Sequence, residues 1–279
     1  MPNTKQAKPS NFNAVFCQRY GPWAVVTGAS EGIGLAFAEC LAAKGLNLLL
    51  VARRQALLES LAQQLRNNHG IQCLVVTADL GALDGNETLL AAAHGLEVGL
   101  LVANAGFGSI GALMDADLAL ERQMLPLNCA AVLGQCARFG KAMALRGRGG
   151  LVLMSSVVAF QGAPLSANYA ATKAYVQTLA EGLAIELQSK GVDVLAVAPG
   201  PVHTGFASRA NMQMAQALDP VVIAQGALAA LGRRTTVRPG WLSKVLGWSL
   251  ASSPRWLGTR IMGQVMRGMA KPMDATAGK

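Results

Sequence analysis

Apolar residues gather in short unbroken runs along the chain, and most of these runs end on glycine or polar residues. The runs lie at 23–26, 48–51, 71–77, 98–102, 151–154 and 192–197. Continuous rather than alternating hydrophobicity suits strands of a parallel sheet, which are covered on both faces. Between the runs, apolar residues recur at helical spacing over 35–42, 54–68, 84–95, 115–145 and from the segment around Tyr169 to Gln188. Pro126 inside the 115–145 stretch predicts a boundary or kink, because proline cannot donate the helical hydrogen bond. Asp219-Pro220 has the form of an N-cap followed by proline at the first helical position, opening a helix to about Leu231. Residues 235–237 predict a last short strand. Regular βα alternation gives an α/β fold, a doubly wound parallel sheet of about seven strands flanked by helices in a single domain. Three segments are expected: a polar, mobile arm at 1–20, a body at 21–239, and an apolar, basic helical extension at 240–279.

Composition narrows the class. Of 279 residues, 52% are hydrophobic and 14% charged, so a large core is available and global disorder is excluded. Cys17, Cys40, Cys73, Cys129 and Cys136 show no C-x-x-C spacing, and His69, His94 and His203 form no ligand cluster. No disulfide framework and no metal are expected, and a reducing, cytoplasmic setting fits. The net charge of +9 sits in the tails: +3 over 1–20 and +8 over 233–279, against −2 for the body. A near-neutral body argues against nucleic-acid binding. Neither a signal peptide nor a transmembrane helix is expected.

The polar motifs stand at the carboxyl ends of the predicted strands, where an open α/β sheet binds ligands. The first strand leads into Thr27-Gly28-Ala29-Ser30-Glu31-Gly32-Ile33-Gly34 and then a helix. Glycines there let the backbone approach a phosphate, and the helix start offers free N–H groups. The second strand ends in Arg53-Arg54, where a site preferring NAD would carry an acid for the ribose hydroxyls. Two guanidiniums suit a 2′-phosphate, which favours NADP(H) with NADH the alternative. Glu31 inside the glycine turn works against that preference. The third strand ends at Asp79-Leu80, the fourth at Asn104-Ala105-Gly106, the fifth at Ser155-Ser156 and the sixth at Pro199-Gly200-Pro201-Val202-His203-Thr204. Asn128 lies in an apolar context and needs polar partners. Tyr169 and Lys173, four apart on a helix, share a face. A phenol titrates near 10, and a neighbouring ammonium is expected to lower that value and make the pair a general acid/base.

As an ordered set, the glycine turn, Asp79, Asn104-Ala105-Gly106, Asn128, Ser156, Tyr169-x-x-x-Lys173 and Pro199-Gly200 with Thr204 resemble the short-chain dehydrogenase/reductase family, in its single-domain branch with a Rossmann-like dinucleotide-binding and catalytic body. The resemblance covers roughly residues 22–240 and points toward ketoreductases of the 3-oxoacyl or hydroxysteroid type. It implies that Tyr169 is the general acid, that Lys173 lowers its pKa and holds the nicotinamide ribose, and that Ser156 orients the carbonyl. It implies that Asn128 holds a water in a relay to Lys173. Gly28, Ser30, Gly32, Ile33 and Gly34 would form the pyrophosphate turn. Asp79 and Leu80 would face the adenine, Asn104, Ala105 and Gly106 the adenosine ribose region, and Pro199, Gly200, Val202 and Thr204 the carboxamide.

Phe107, Val157, Phe160, Phe206, Met212 and Met214 follow motif residues and are expected to line an apolar, methionine-rich pocket. The extension over 240–270 mixes tryptophans with arginines. It reads as a lid, a subunit contact or a segment lying on a membrane surface. The function expected is NADPH-dependent reduction of a ketone on a hydrophobic substrate. The alternatives are oxidation of a secondary alcohol or a catalytically silent cofactor-binding protein. A homodimer or homotetramer is expected.

Overall fold

In the computed structural model, the described residues are 11–206, 210, 217–240, 243 and 254–270. Seven parallel strands form one sheet: β1 (Trp23–Thr27), β2 (Asn47–Ala52), β3 (Cys73–Thr77), β4 (Val98–Ala103), β5 (Gly149–Met154), β6 (Val192–Val197) and β7 (Thr236–Val237). Their order is β3-β2-β1-β4-β5-β6-β7. The order reverses between β1 and β4, and that crevice at the carboxyl ends is where such a sheet takes a ligand. The central strands β1, β4 and β5 are buried along their whole length, which is why they carry no alternation.

Helices cover both faces. On one side α2 (Gly32–Ala42), α3 (Gln55–His69) and α8 (Pro220–Ala230) pack through Phe37, Leu41, Leu58, Leu65, Ile223 and Leu228. On the other, α4 (Gly85–Ala92), α6 (Ala131–Arg146) and α7 (Ala167–Gln188) pack through Leu89, Val132, Phe139, Met143, Val176 and Ala180. The N-cap at Asp219 forms as its sequence suggests: the side chain accepts from Val221 N at 2.7 Å, and Pro220 follows.

One expectation needs correction. Residues 11–20 are not a mobile arm but α1 (Asn11–Tyr20). Phe16 and Tyr20, one turn apart, are buried in the core, and the Tyr20 hydroxyl donates to Asp193 Oδ2 at 2.7 Å while Arg19 grips both oxygens of the same carboxylate. Desolvation and the Asp193 carboxylate together hold the Tyr20 phenol well above its usual range. The boundary expected at Pro126 is present: the α-helix ends at Leu125. Between α5 (Leu118–Leu125) and α6 the chain widens into one π-helical turn, Pro126–Ala130, which accommodates the missing N–H and carries the buried Asn128.

A third apolar cluster caps the carboxyl end of the sheet. Val157, Val158, Ala170 and Ala210 meet Met262 and Met266 of α9 (Arg255–Met269), with Tyr169, Phe206 and Ile110 packed against it. The described part of the C-terminal extension thus lies over the Tyr169 region. No helix among the described residues is long and apolar enough to cross a membrane.

Candidate active site

The glycine turn is shaped by close contact. A Cβ built on Gly34 would stand 2.2 Å from Gly28 O and 2.6 Å from Asn104 Nδ2, so only glycine lets the start of α2 approach β1 this closely. Asn104 joins the two halves of the crevice by donating from Nδ2 to Thr27 O at 2.9 Å, and the Thr27 hydroxyl accepts from the N–H groups of Asn104 and Ala105. A Cβ on Gly32 would fall 2.7 Å from Thr204 Cγ2, so the turn after β6 closes over the glycine turn. The N-terminus of α2, the bare backbone at Gly28, Gly32 and Gly34 and the partly exposed Ser30 and Ile33 together fit a pyrophosphate.

Around this cradle, Arg53 is exposed, while Arg54 pairs with Glu31 at 2.8 Å and donates to Ser30 Oγ at 2.9 Å. The acid in the glycine turn therefore engages one of the two arginines at the second strand's end. Asp79 is exposed and accepts from Gly81 N at 3.0 Å, and Leu80 is buried. Pro199 O accepts from Val157 N at 3.1 Å, tying the turn after β6 to the turn after β5. Val202 is buried and bridges Leu218, and Thr204 Oγ1 accepts from Phe206 N at 3.2 Å.

The polar side chains singled out around Tyr169 converge on the end of β5. Ser155 points inward, its hydroxyl donating to Lys173 O at 3.2 Å. Ser156 begins the turn Val157–Phe160, and its hydroxyl lies beside the Tyr169 phenol, on which it acts to favour the ionised form. Lys173 is buried, donates to Met154 O at 2.8 Å and sits 5.7 Å from the centre of the Tyr169 ring. The Asn128 amide is occupied by backbone and hydroxyl partners: Oδ1 accepts from Phe107 N at 3.2 Å, and Nδ2 donates to Phe107 O at 2.8 Å and Thr172 Oγ1 at 3.0 Å. A Cβ on Gly106 would lie 2.8 Å from Asn128 Oδ1 and 3.6 Å from Lys173 Nζ, so amide and ammonium flank one glycine.

The electrostatics differ from the expectation that Lys173 would lower the phenol. Desolvation dominates and pushes Tyr169 up to about 12, with Ser156 pulling weakly the other way. The same desolvation brings Lys173 down to about 8. Low-dielectric surroundings disfavour charge on either group, and at this separation that penalty outweighs their attraction.

Of the expected pocket residues, Val157 and Phe206 pack in the cluster around Tyr169, with the Phe206 and Tyr169 ring centres 5.5 Å apart. Phe107 is held by Asn128, and Phe160 lies under the Arg238 guanidinium at 4.1 Å. Met212 and Met214 lie outside the described residues. Sequence reasoning passed over Ser243, whose buried hydroxyl accepts from Gly200 N at 2.9 Å, and a polar group formed by Ser109, Glu121 and Asn168. Neither carries a periodic or motif signal. Among the described residues, no three His, Cys, Asp or Glu side chains are grouped to hold a metal.

This geometry has known counterparts. The short chain dehydrogenase family profile matches residues 22–215. The chain is 30% identical over 236 residues to a 7beta-hydroxysteroid dehydrogenase from Collinsella aerofaciens, covering 81% of this chain and 89% of that one. It is 35% identical over 241 residues to a very-long-chain 3-oxoacyl-CoA reductase-like protein from Arabidopsis thaliana, covering 84% and 77%. A short-chain dehydrogenase from Sphingobium yanoikuyae, solved in complex with NADPH, superposes with a TM-score of 0.76 at 27% identity over 92% of this chain and 99% of that one. A crevice at the sheet's reversal point, a family profile spanning most of the body and relatives named as dehydrogenases and reductases lead to one conclusion: the chain belongs to the short-chain dehydrogenases, NAD(P)-dependent oxidoreductases acting on CH–OH and C=O groups.

Proposed function

We propose that the chain reduces a ketone on a hydrophobic substrate to a secondary alcohol with NADPH. The observation that carries this reading is the meeting of the Tyr169 phenol, the Ser156 hydroxyl and the Lys173 ammonium at the end of β5, with the phenol packed against an apolar cluster that favours its neutral form. A neutral phenol at physiological pH is ready to give a proton, as reduction requires. Oxidation of an alcohol would instead require the ionised phenol as base, which burial disfavours.

Hydride for the carbonyl carbon would come from the dinucleotide when it is bound. Tyr169 donates its proton to the carbonyl oxygen, and the Ser156 hydroxyl holds that oxygen in place. Lys173, still mostly ammonium at neutral pH, resupplies the proton and binds the nicotinamide ribose. Asn128 fixes Phe107 beside them, and the relay water of the family would sit at its Oδ1, next to Gly106. Gly28, Ser30, Gly32, Ile33 and Gly34 hold the pyrophosphate, Arg53 and Arg54 the 2′-phosphate, Asp79 and Leu80 the adenine side, and Pro199, Gly200, Val202 and Thr204 the carboxamide. Val157 and Phe206, roofed by Met262 and Met266, suit a steroid-sized or long acyl ketone, and Phe107 would extend this wall from the loop after β4. This makes the extension a pocket wall. Its outer face, where Arg260 covers the exposed Trp256 at 5.3 Å, is the feature that favours peripheral membrane contact as a second role.

A homodimer is proposed through α6 and α7. Leu133, Ala137, Gly140 and Ala144 on α6 and Leu179, Leu183 and Leu187 on α7 line a surface groove of about 590 Å³, an apolar face suited to a second copy.

The deciding experiment follows NADPH absorbance over a panel of ketones for wild type and Tyr169→Phe. Turnover should be abolished while NADPH binding is kept. Near-normal activity in the variant would remove the proton donor from this mechanism.

A further inference from the structure

The loop after β4 is pinned at two points. Asn128 holds Phe107 through both of its backbone groups. Two residues on, Ser109 is held from the other side. Its carbonyl accepts from Ser166 Oγ at 2.8 Å, and its hydroxyl donates to Glu121 Oε1. Glu121, on α5, is only 6% exposed. Its other oxygen, Oε2, accepts from Asn168 Nδ2 at 2.7 Å, and the same amide reaches Glu121 O at 3.0 Å. Among the described residues no cation pairs with it at ion-pair distance. A buried carboxylate is costly unless hydrogen-bonded. Here the bonds come from two neutral donors, one on the loop and one on α7 immediately before Tyr169.

Gly108 lies between the two pins. A Cβ there would stand 2.7 Å from Tyr169 Cδ2 and 2.8 Å from Phe206 Cζ, so the loop backbone rests directly against the phenol ring. A shift at Ser109 would move that backbone and the ring it supports.

We infer that Glu121 is a positioning residue for the reaction: by joining Ser109 to Asn168 it clamps the loop at Gly108 against Tyr169 and sets where the phenol meets the substrate oxygen. The inference rests on Tyr169 being the proton donor. Glutamine can serve in its place, since its carbonyl accepts from Asn168 and its amide donates to the Ser109 oxygen. Alanine leaves both partners unmatched.

Glu121→Ala, Glu121→Gln, Ser109→Ala and Tyr169→Phe should be compared for ketone turnover, NADPH affinity by fluorescence titration and thermal denaturation. In Glu121→Ala, kcat should fall about 10- to 100-fold while NADPH affinity stays within about twofold, the size of effect a displacement near 1 Å produces. Glu121→Gln should recover to within about threefold of wild type, and Ser109→Ala, which leaves a buried carboxylate oxygen unpaired, should lose several-fold in kcat and some thermal stability while NADPH affinity stays within about twofold. Should Glu121→Ala fail to fold, the Gln and Ser109 variants decide. A kcat near wild type in Ser109→Ala or in a folded Glu121→Ala would overturn the inference, and so would parallel losses of turnover and NADPH affinity. Activity in Tyr169→Phe would instead overturn the proton-donor reading itself. An inactive Tyr169→Phe beside an unaffected Glu121→Ala would sink the clamp alone.

Discussion

The Lys173 ammonium stands 5.7 Å from the centre of the Tyr169 ring and donates its hydrogen bond to Met154 O rather than to the phenol. The two groups are one helical turn apart, yet burial rather than mutual attraction sets the protonation of each.

A stability effect with a definite sign results. Lysine ordinarily titrates near 10.5, and Lys173 is lowered to about 8. The folded chain binds this proton more weakly than the unfolded chain. Its buried charge therefore costs stability in full below about pH 8, progressively less up to about 10.5 and nothing above. Lys173→Met should raise the urea midpoint at pH 7, and the gain should shrink by pH 10. A gain of equal size at both pH values would mean that the ammonium is not desolvated as described.

The proposed preference for NADPH is testable at the arginines after β2. With Arg54 engaged by Glu31, Arg53→Ala combined with Arg54→Ala should weaken NADPH by about 10- to 100-fold while changing NADH by less than about threefold, since each factor of ten is about 1.4 kcal/mol and only the 2′-phosphate distinguishes the two. Fluorescence titration of both cofactors measures it. Equal losses for both would place the arginines elsewhere on the dinucleotide.

At the opposite end of the sheet, Tyr20→Phe removes one neutral donor from the Asp193 carboxylate and leaves Arg19 in place. A hydrogen bond to a charged group contributes about 1.5–3 kcal/mol, so denaturant unfolding should show a loss in that range with turnover unchanged. An unaltered midpoint would mean that α1 is held by Phe16 packing and the Arg19 pair alone.

The groove between α6 and α7 makes its own prediction. Leu183→Arg would set a charge in the proposed contact, and sedimentation velocity should then show a monomer where the wild type sediments as a larger species. A wild type that sediments as a monomer, or a variant of unchanged size, would move the contact to another face.

Much of the architecture could be read from the chain because its signals are local. Leu48, Leu49 and Leu50 are fully buried on both sides of the sheet, so their run admits little but a central parallel strand. Asp219-Pro220 states its own cap. What escaped depends on long-range partners. Phe16 and Tyr20 sit among Asn, Gln and Arg, and their burial is settled by contacts such as Asp193, 173 residues away. The Ser109–Glu121–Asn168 group joins residues from a loop and two helices, none with a recurring pattern. The Tyr169 pKa could not be foreseen from the Tyr-x-x-x-Lys spacing, because the amount of solvent withdrawn is a property of the whole cluster, including Met262 and Met266 from the far end of the sequence.

Strand β6 is gripped by segments that flank the sheet in sequence on either side. Tyr20 and Arg19 take hold of Asp193 near its beginning, and Ser243 caps the backbone of Gly200 just beyond its end. Trimming either segment therefore slackens the same rod, and the rod's far tip is the turn that carries Val202 and Thr204. The sheet and its covering helices, cut free of those two segments, would be a looser machine than the chain that keeps them.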